Sequence, residues 1–316
     1  MVIMVKVRLG YACISDTLKV TSSSTYSYSN FIKEQDFLKL DRVILSNFFA
    51  LESILKYNIK NNIHFYRLSS NLIPLATKKE VDFDYINKYK FYYRNLGKMI
   101  SDSCMRVDFH PSEYCVINSV KKEVVNQSIE LLEYHYNLLD ALNIKDKILV
   151  IHVGSGALGK KNAISRFCNV FLTLDKKIQD IIAIENDDKV FNIDDCLLIS
   201  KRIGIPVVFD YHHNQCNPGE MKLEESLNEV FASWKGKKIK MHFSSPKSKL
   251  KREFRSHHEY IESDSFINFL EFLKKYNYDI DIMIEAKKKD EALFRLVREI
   301  KYKTEYLFLD DTSFIV

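Results

Sequence analysis

The chain has 316 residues, 46% of them hydrophobic and 28% charged, with a formal net charge of +5. That supplies core material for one large or two medium folded units and excludes a disordered polyelectrolyte, while the mild positive balance is compatible with a polyanionic partner without requiring one. No run of about 18 apolar residues suits a membrane-spanning helix, and six scattered cysteines with no CxxC pair read as reduced core thiols of a cytoplasmic protein.

In chain order, the opening MVIMVKVRLGYA reads as a strand with interspersed charges rather than a secretory leader, with the strand proper at 5–12. The low-complexity patch TSSSTYSYSN (21–30) reads as the loop after it. Residues 34–58 carry apolar side chains at three-to-four spacing and predict a helix. Strands follow at 62–68 and at 104–110, the latter ending VDFHP at His110. A helix is expected over 126–143, then a strand at 147–153, ILVIHVG, carrying His152. The strand at 180–185 runs into IIAIEND with Glu185. Asp194 and Asp195 then precede CLLISKRIG, whose glycine suits a helix C-cap. The strand at 205–210 ends VVFDYHH with Asp210, His212 and His213, and that at 237–243 reads KIKMHFSS with Lys240 and His242. A helix over 263–277 leads to the last strand, 279–285, IDIMIEA, ending in Glu285. Strand–helix alternation repeated eight times without a break in composition predicts one (β/α)8 barrel spanning residues 1–316. In that fold the chemistry sits at the C-terminal ends of the strands.

The polar residues that end these strands are mostly imidazoles and carboxylates. Of nine histidines, His110, His152, His212, His213 and His242 end strands, and His257 and His258 lie in the loop after the seventh. His64 opens a strand and His135 lies within a helix, which assigns those two to packing or surface. A single strand-end histidine is more often structural than a ligand; several on one rim build a metal site. Imidazole and carboxylate without thiolate suits manganese, zinc or iron, and Glu185, Asp210 and Glu285 are available to bridge two or three ions. Such a rim serves phosphodiester hydrolysis or sugar isomerisation. Lys240, two residues before His242, points into the barrel as well, either paired with a buried carboxylate or acting in the metal site.

The loops on the same face are basic. Lys247, Lys249, Lys251, Arg252 and Arg255 follow the seventh strand, Lys160, Lys161 and Arg166 the fourth, and Lys287, Lys288 and Lys289 the eighth. Positive clusters around a hydrolytic centre suit a polyanion whose phosphates supply much of the affinity. Tyr11, Tyr114, Tyr26 and Tyr28 lie just past strand ends, where aromatics can stack on bases or wedge into a duplex.

The motifs RLGYAC, FYRLSSNLIP (65–74), FHPSEY (109–114), IHVGS (151–155), IEND (184–187), VVFDYHHNQCNP (207–218), KMHFSSP (240–246), RSHHEYI (255–261) and MIEAKKKD (283–290), in this order, resemble the UV damage endonucleases, the UvdE/UvsE family, over nearly the full length. The resemblance implies a DNA-repair hydrolase that nicks duplex DNA immediately 5′ to cyclobutane pyrimidine dimers, 6-4 photoproducts and abasic sites, leaving 3′-hydroxyl and 5′-phosphate. It implies two or three divalent metals, manganese first, with zinc, cobalt or magnesium as substitutes. By motif match the ligands are His110, His152, Glu185, Asp210, His213, His242, His257 and Glu285, while His212 and His258 are neighbours. Glu185, Glu285 and Lys240 are matched to the catalytic work, and Lys240 to a lysine that can be carboxylated. DNA and lesion contacts are assigned to Tyr11, Glu113, Tyr114, Lys160, Lys247, Lys249, Arg252 and Arg255, with Glu113 standing where the family has Gln and Ser15 where some relatives have Asn. The partner is damaged double-stranded DNA; neither a membrane nor an obligate protein partner is expected, and the chain is expected to act as a monomer. The alternatives are a related barrel enzyme, an abasic-site endonuclease or a sugar isomerase/epimerase, and a non-catalytic damage binder.

Overall fold

Short, mostly buried runs form eight parallel strands: Lys6–Ala12, Phe65–Arg67, Arg106–Asp108, Leu149–His152, Ile182–Glu185, Val207–Asp210, Ile239–Phe243 and Ile280–Ile284. They are the first to eighth strands below. A computed structural model describes residues 4–316, so the first three residues of the predicted opening strand lie outside the described part.

Pairing runs around the ring in sequence order, and the eighth strand returns to the first with Val7 opposite Ile280 and Tyr11 opposite Ile284. The thinnest seam joins the third strand to the fourth through a single bridge, Phe109 to Leu149, with Val150 N donating to Phe109 O at 3.0 Å. The barrel is therefore nearly closed. Two features of the pairing lay outside the predicted elements. A hairpin at Ile14–Ser15 and Val20–Thr21 follows the first strand, and a C-terminal hairpin, Leu307–Phe308 with Ser313–Ile315, pairs antiparallel with the first strand from outside the ring.

Helices cover the outside. The helix at Phe37–Lys60 faces Leu40, Ile44, Phe48, Leu51 and Leu55 inward, the three-to-four spacing read from the sequence. Ile193–Ile203 begins with a capping box between Asn192 and Asp195 and ends at Gly204, whose φ of 77° needs a residue free of a Cβ penalty. The patch at 21–30 is only partly loop: Ser27 caps a helix over Tyr28–Glu34, and Tyr26 is buried with its hydroxyl on Glu34. The cysteines are free, but Cys104 is exposed and Cys13 and Cys216 half-buried, so only Cys115, Cys168 and Cys196 are core residues. No described helix is long and apolar enough to cross a membrane.

Strand alternation divides each strand between two environments. Outward residues such as Leu9, Val107, Ile184 and Ile282 join the large core beneath the helices. On the inward face Ala12, Phe65 and Met283 form a separate small apolar cluster, while Val150, Ala183 and Val208, two residues before His152, Glu185 and Asp210, belong to the large core. Gly10 lies beside the small cluster, where a Cβ would collide with the carbonyl of Phe65. Above and below, the barrel axis is occupied by charged side chains.

Candidate metal centre

Register assembles the upper layer. His152 pairs with Glu185 across the fourth and fifth strands, and Asp210 with His242 across the sixth and seventh. Laterally paired residues of parallel strands project to the same face at the same height, so four functional groups arrive together without any loop. Asp210 also caps the short helix Tyr211–Cys216, its Oδ1 accepting from His213 N at 2.6 Å, which turns His213 back over the strand ends. Asn186 fixes this turn: its Oδ1 accepts from Asp210 N at 2.9 Å, its Nδ2 donates to Asp210 O at 3.0 Å, and its carbonyl lies 2.9 Å from His213 Nδ1.

Glu185 stands in the middle. Its Oε2 lies 2.8 Å from His110 Nε2 and 3.6 Å from His152 Nε2. Its Oε1 lies 2.7 Å from His242 Nδ1 and 3.5 Å from His213 Nδ1. Three groups of donor atoms result, each closing within 4.8 Å: His110, His152 and Glu185; Glu185, Asp210 and His213; Asp210, His242 and Glu285. Glu185 belongs to the first two and Asp210 to the last two, so the three positions form a chain with shared carboxylates. His257 is brought to the edge by a bridge between Pro246 and His257, but its Nδ1 is 4.0 Å from Glu285 Oε2 and it belongs to none of the three groups. His212 faces Cys216 and Phe254, and His258 hydrogen-bonds to Tyr260, so both stand beside the centre.

The electrostatics suit a cation. Burial alone would push the Glu185 carboxyl up, yet the imidazoles of His242, His152 and His110 hold it well below the usual carboxylate range. Asp210 is pushed up to about 7 by burial and by Glu185 and Glu285, against the pull of His213. Burial lowers His213, but Asp210 and Glu185 outweigh it and raise the imidazole to about 9. Burial pulls His242 down to about 4, with Glu185 opposing. Asp210 Oδ2 and His152 Nδ1 are buried without a hydrogen-bond partner. An unpaired buried carboxylate oxygen is costly, and a divalent ion held by mixed oxygen and nitrogen donors removes that cost. The donor set therefore fits the metals that its chemistry implies.

Beneath the centre lies a second charged layer, of which the sequence reading had Lys240 but not Arg67 or Asp108. Arg67 at the end of the second strand reaches Glu285 Oε1 at 2.7 Å and His242 Nε2 at 2.9 Å. Asp108, two residues before His110 and on the same inward face, accepts from Lys240 Nζ and lies 3.8 Å from Arg67 Nε. Lys240 is fully buried and its amine is pushed down to about 8, first by burial and then by Arg67 and Arg106, against Asp108. It is paired with a carboxylate, the first of the two arrangements expected for it.

On the rim, Tyr114 is 78% exposed with Glu113 beside it. Lys247, Lys249, Arg252, Arg255 and Lys160 are also exposed, but Lys247 pairs with Glu253 at 2.9 Å, Arg255 with Asp188 at 2.7 Å and Lys160 with Asp195 at 2.8 Å. Arg166 donates to the carbonyls of Asn118 and Ala157 and braces the loop above the fourth strand. Tyr11, on the first strand, is buried. Alternation turns Gly10 and Ala12 inward and Tyr11 outward, so its ring packs on Tyr66 at 5.2 Å and its hydroxyl donates to Asn58 at 2.8 Å, with no exposed surface. His135 is buried and His64 pairs with Asp310 at 2.9 Å, away from the centre, as read.

Comparison with known proteins agrees in family and in fold. The UV-endonuclease UvdE family is matched over residues 7–307. A UV DNA damage endonuclease of Bacillus cereus strain G9842 is 41% identical over 277 residues, 87% of this chain and 87% of the relative. A crystal structure of SacUVDE superposes with a TM-score of 0.85 at 33% identity, covering 94% of this chain and 98% of that one. Endonuclease IV from Thermus thermophilus, at 10% identity and a TM-score of 0.57 over 94% of this chain and 100% of its own, shares the barrel fold.

Proposed function

The chain belongs to the UV-endonuclease UvdE family, and from that premise we propose that it nicks duplex DNA immediately 5′ to UV photoproducts and abasic sites by metal-dependent hydrolysis, leaving a 3′-hydroxyl and a 5′-phosphate. The observation that carries the metal dependence is the chain of three donor groups sharing Glu185 and Asp210. We assign metal binding to His110, His152, Glu185, Asp210, His213, His242 and Glu285, with His257 approaching from the rim, and two or three manganese ions to the centre. When bound, such ions supply Lewis acidity and activate water near neutral pH.

The chain's own residues do the rest. Exposed Lys249 and Arg252 meet backbone phosphates, and Tyr114 presents a ring to bases that a lesion has already loosened from the stack. Arg67 holds Glu285 and His242 in place from below, and Lys240 with Asp108 fixes Arg67's surroundings. Glu113, a carboxylate where the family has an amide, faces the phosphates beside Tyr114 and weakens contact there. Residues 1–316 act in this reading as one cytoplasmic, monomeric barrel domain.

The test is a duplex with one cyclobutane pyrimidine dimer, 5′-labelled and incubated with Mn²⁺ beside abasic and undamaged duplexes. A product ending 5′ to the dimer supports the proposal. Cleavage of the abasic duplex alone would move the assignment to an abasic-site enzyme, and no cleavage of any duplex would leave sugar isomerisation or inert binding.

A further inference from the structure

The opposite end of the barrel holds a cavity of about 880 Å³, within the size range of small-molecule sites. Its wall carries seven Lys or Arg side chains and two Asp. At its floor, Arg8, Arg106 and Lys238 all converge on one carboxylate, Asp281, at 2.6, 2.9 and 3.6 Å. Asp281 is fully buried, and Arg8 and Arg106 are mostly so, with side-chain exposures of 12% and 9%. Three cations sharing one anion in a recess leave positive charge uncompensated where water is scarce. Asp140 and Asp175 pair Lys147 and Lys177 from outside the wall, and cations remain in excess even so.

The remaining wall is apolar and aromatic. Ile100, Met105, Ile144 and Ile148 line it with Trp234, while Lys147 and Lys177 sit over the ring of Tyr136 at 5.8 and 5.2 Å. Nothing in the metal centre uses this end, which lies at the N-terminal ends of the strands. A flat polyanion such as a duplex cannot bring its phosphates to a floor recessed inside the barrel mouth, whereas a small molecule can.

We propose that this cavity is a second binding site, for a small phosphorylated molecule with a planar apolar part, the phosphate facing Arg8, Arg106 and Lys238 and the apolar part lying along the half-buried Tyr136. This site is independent of the nuclease reading.

The probe is a nucleoside 5′-monophosphate, titrated calorimetrically into the full chain in the presence of EDTA, with the free nucleoside and inorganic phosphate as separate arms. The monophosphate should bind, and Lys237→Glu/Lys238→Glu should weaken it by about tenfold or more, equivalent to about 1.4 kcal/mol. Lys238 also pairs with the buried Asp281, so the double reversal should lower the thermal unfolding midpoint; Lys145→Glu, exposed on another part of the wall, is a second variant that should weaken binding with the midpoint unchanged. Lys249→Glu/Arg252→Glu on the opposite rim should leave the affinity within about twofold. Absence of binding, equal binding by the cavity variants, or loss of binding in the rim variant would overturn the site. Inorganic phosphate or free nucleoside binding as tightly as the monophosphate would overturn the two-part ligand.

Discussion

The strand-end centre and the rim loops carry similar numbers of functional groups but are built in different ways. In the centre, backbone register sets four positions: His152 beside Glu185 and Asp210 beside His242 follow from strand pairing alone. On the rim, the same kinds of charge are held by loop side chains, and their availability depends on local partners. Lys249 and Arg252 project freely, while Arg255 and Lys160 are engaged by Asp188 and Asp195. Groups placed by register should be individually indispensable, whereas those placed by loops should act in small, additive increments.

The largest effect should come from Glu185→Gln. The change preserves size but removes the charge shared by two donor groups, so single-turnover nicking should fall by about a thousandfold or more. Duplex binding, measured by anisotropy, should change by less than about threefold, because the rim is intact. A loss of binding equal to the loss of cleavage would break the distinction between centre and rim.

Lys240→Met should cost about 3–5 kcal/mol in urea unfolding, since it strands Asp108 as a buried carboxylate with only distant Arg67. A cost below about 1 kcal/mol would mean the lower charged layer is not needed to support the centre.

His135 offers an imidazole outside the centre for comparison. Burial depresses it to about 4 from an ordinary value of 6.5. The unfolded chain therefore takes up a proton first as pH falls. The stability from neutral His135 is complete above about pH 6.5 and is lost towards pH 4, at up to about 1.4 kcal/mol per pH unit. His135→Leu should flatten that part of the stability profile without altering nicking at pH 7.5. An unchanged slope would assign the pH dependence elsewhere.

Tyr114→Ala should reduce preference for damaged over undamaged duplex by about tenfold, as expected for a stacking contact worth 1–3 kcal/mol. Its 78% exposure means that stability should stay within about 0.5 kcal/mol of the parent. The smallest effect belongs to single rim cations. Lys249→Ala or Arg252→Ala should each lower the salt slope of binding by about one, and Arg255→Ala by less, because its guanidinium already has a partner. Equal slopes for all three would show that the Asp188 pair opens on DNA.

The same contrast explains what the sequence disclosed. All eight barrel strands were legible, because apolar runs ending in polar residues are set by the fold itself. Alternation, applied to Lys240 and His242, places both inward; applied to Tyr11 it turns that side chain out under the helices, where it is buried. Asp108 and Arg67 belong to strands of only 3 residues, Arg106–Asp108 and Phe65–Arg67, too short for an alternating pattern to mark their inward face as it does for Lys240 and His242. The position of His257 depends on the path of a loop tied by the Pro246 bridge, which no periodicity encodes. The C-terminal hairpin turns on Asp310, whose side chain accepts from Thr312 N and Ser313 N, a local turn signal outside the repeating pattern.

The central claim is that Glu185 and Asp210 link three donor groups into one multinuclear centre. Metal content per chain, measured after Mn²⁺ loading and removal of free ion, tests it without reference to any substrate. The parent chain should retain two or three ions, and Glu185→Gln should retain at least one fewer while keeping its fold. No retained metal in the parent, or the same count in both proteins, would contradict the account.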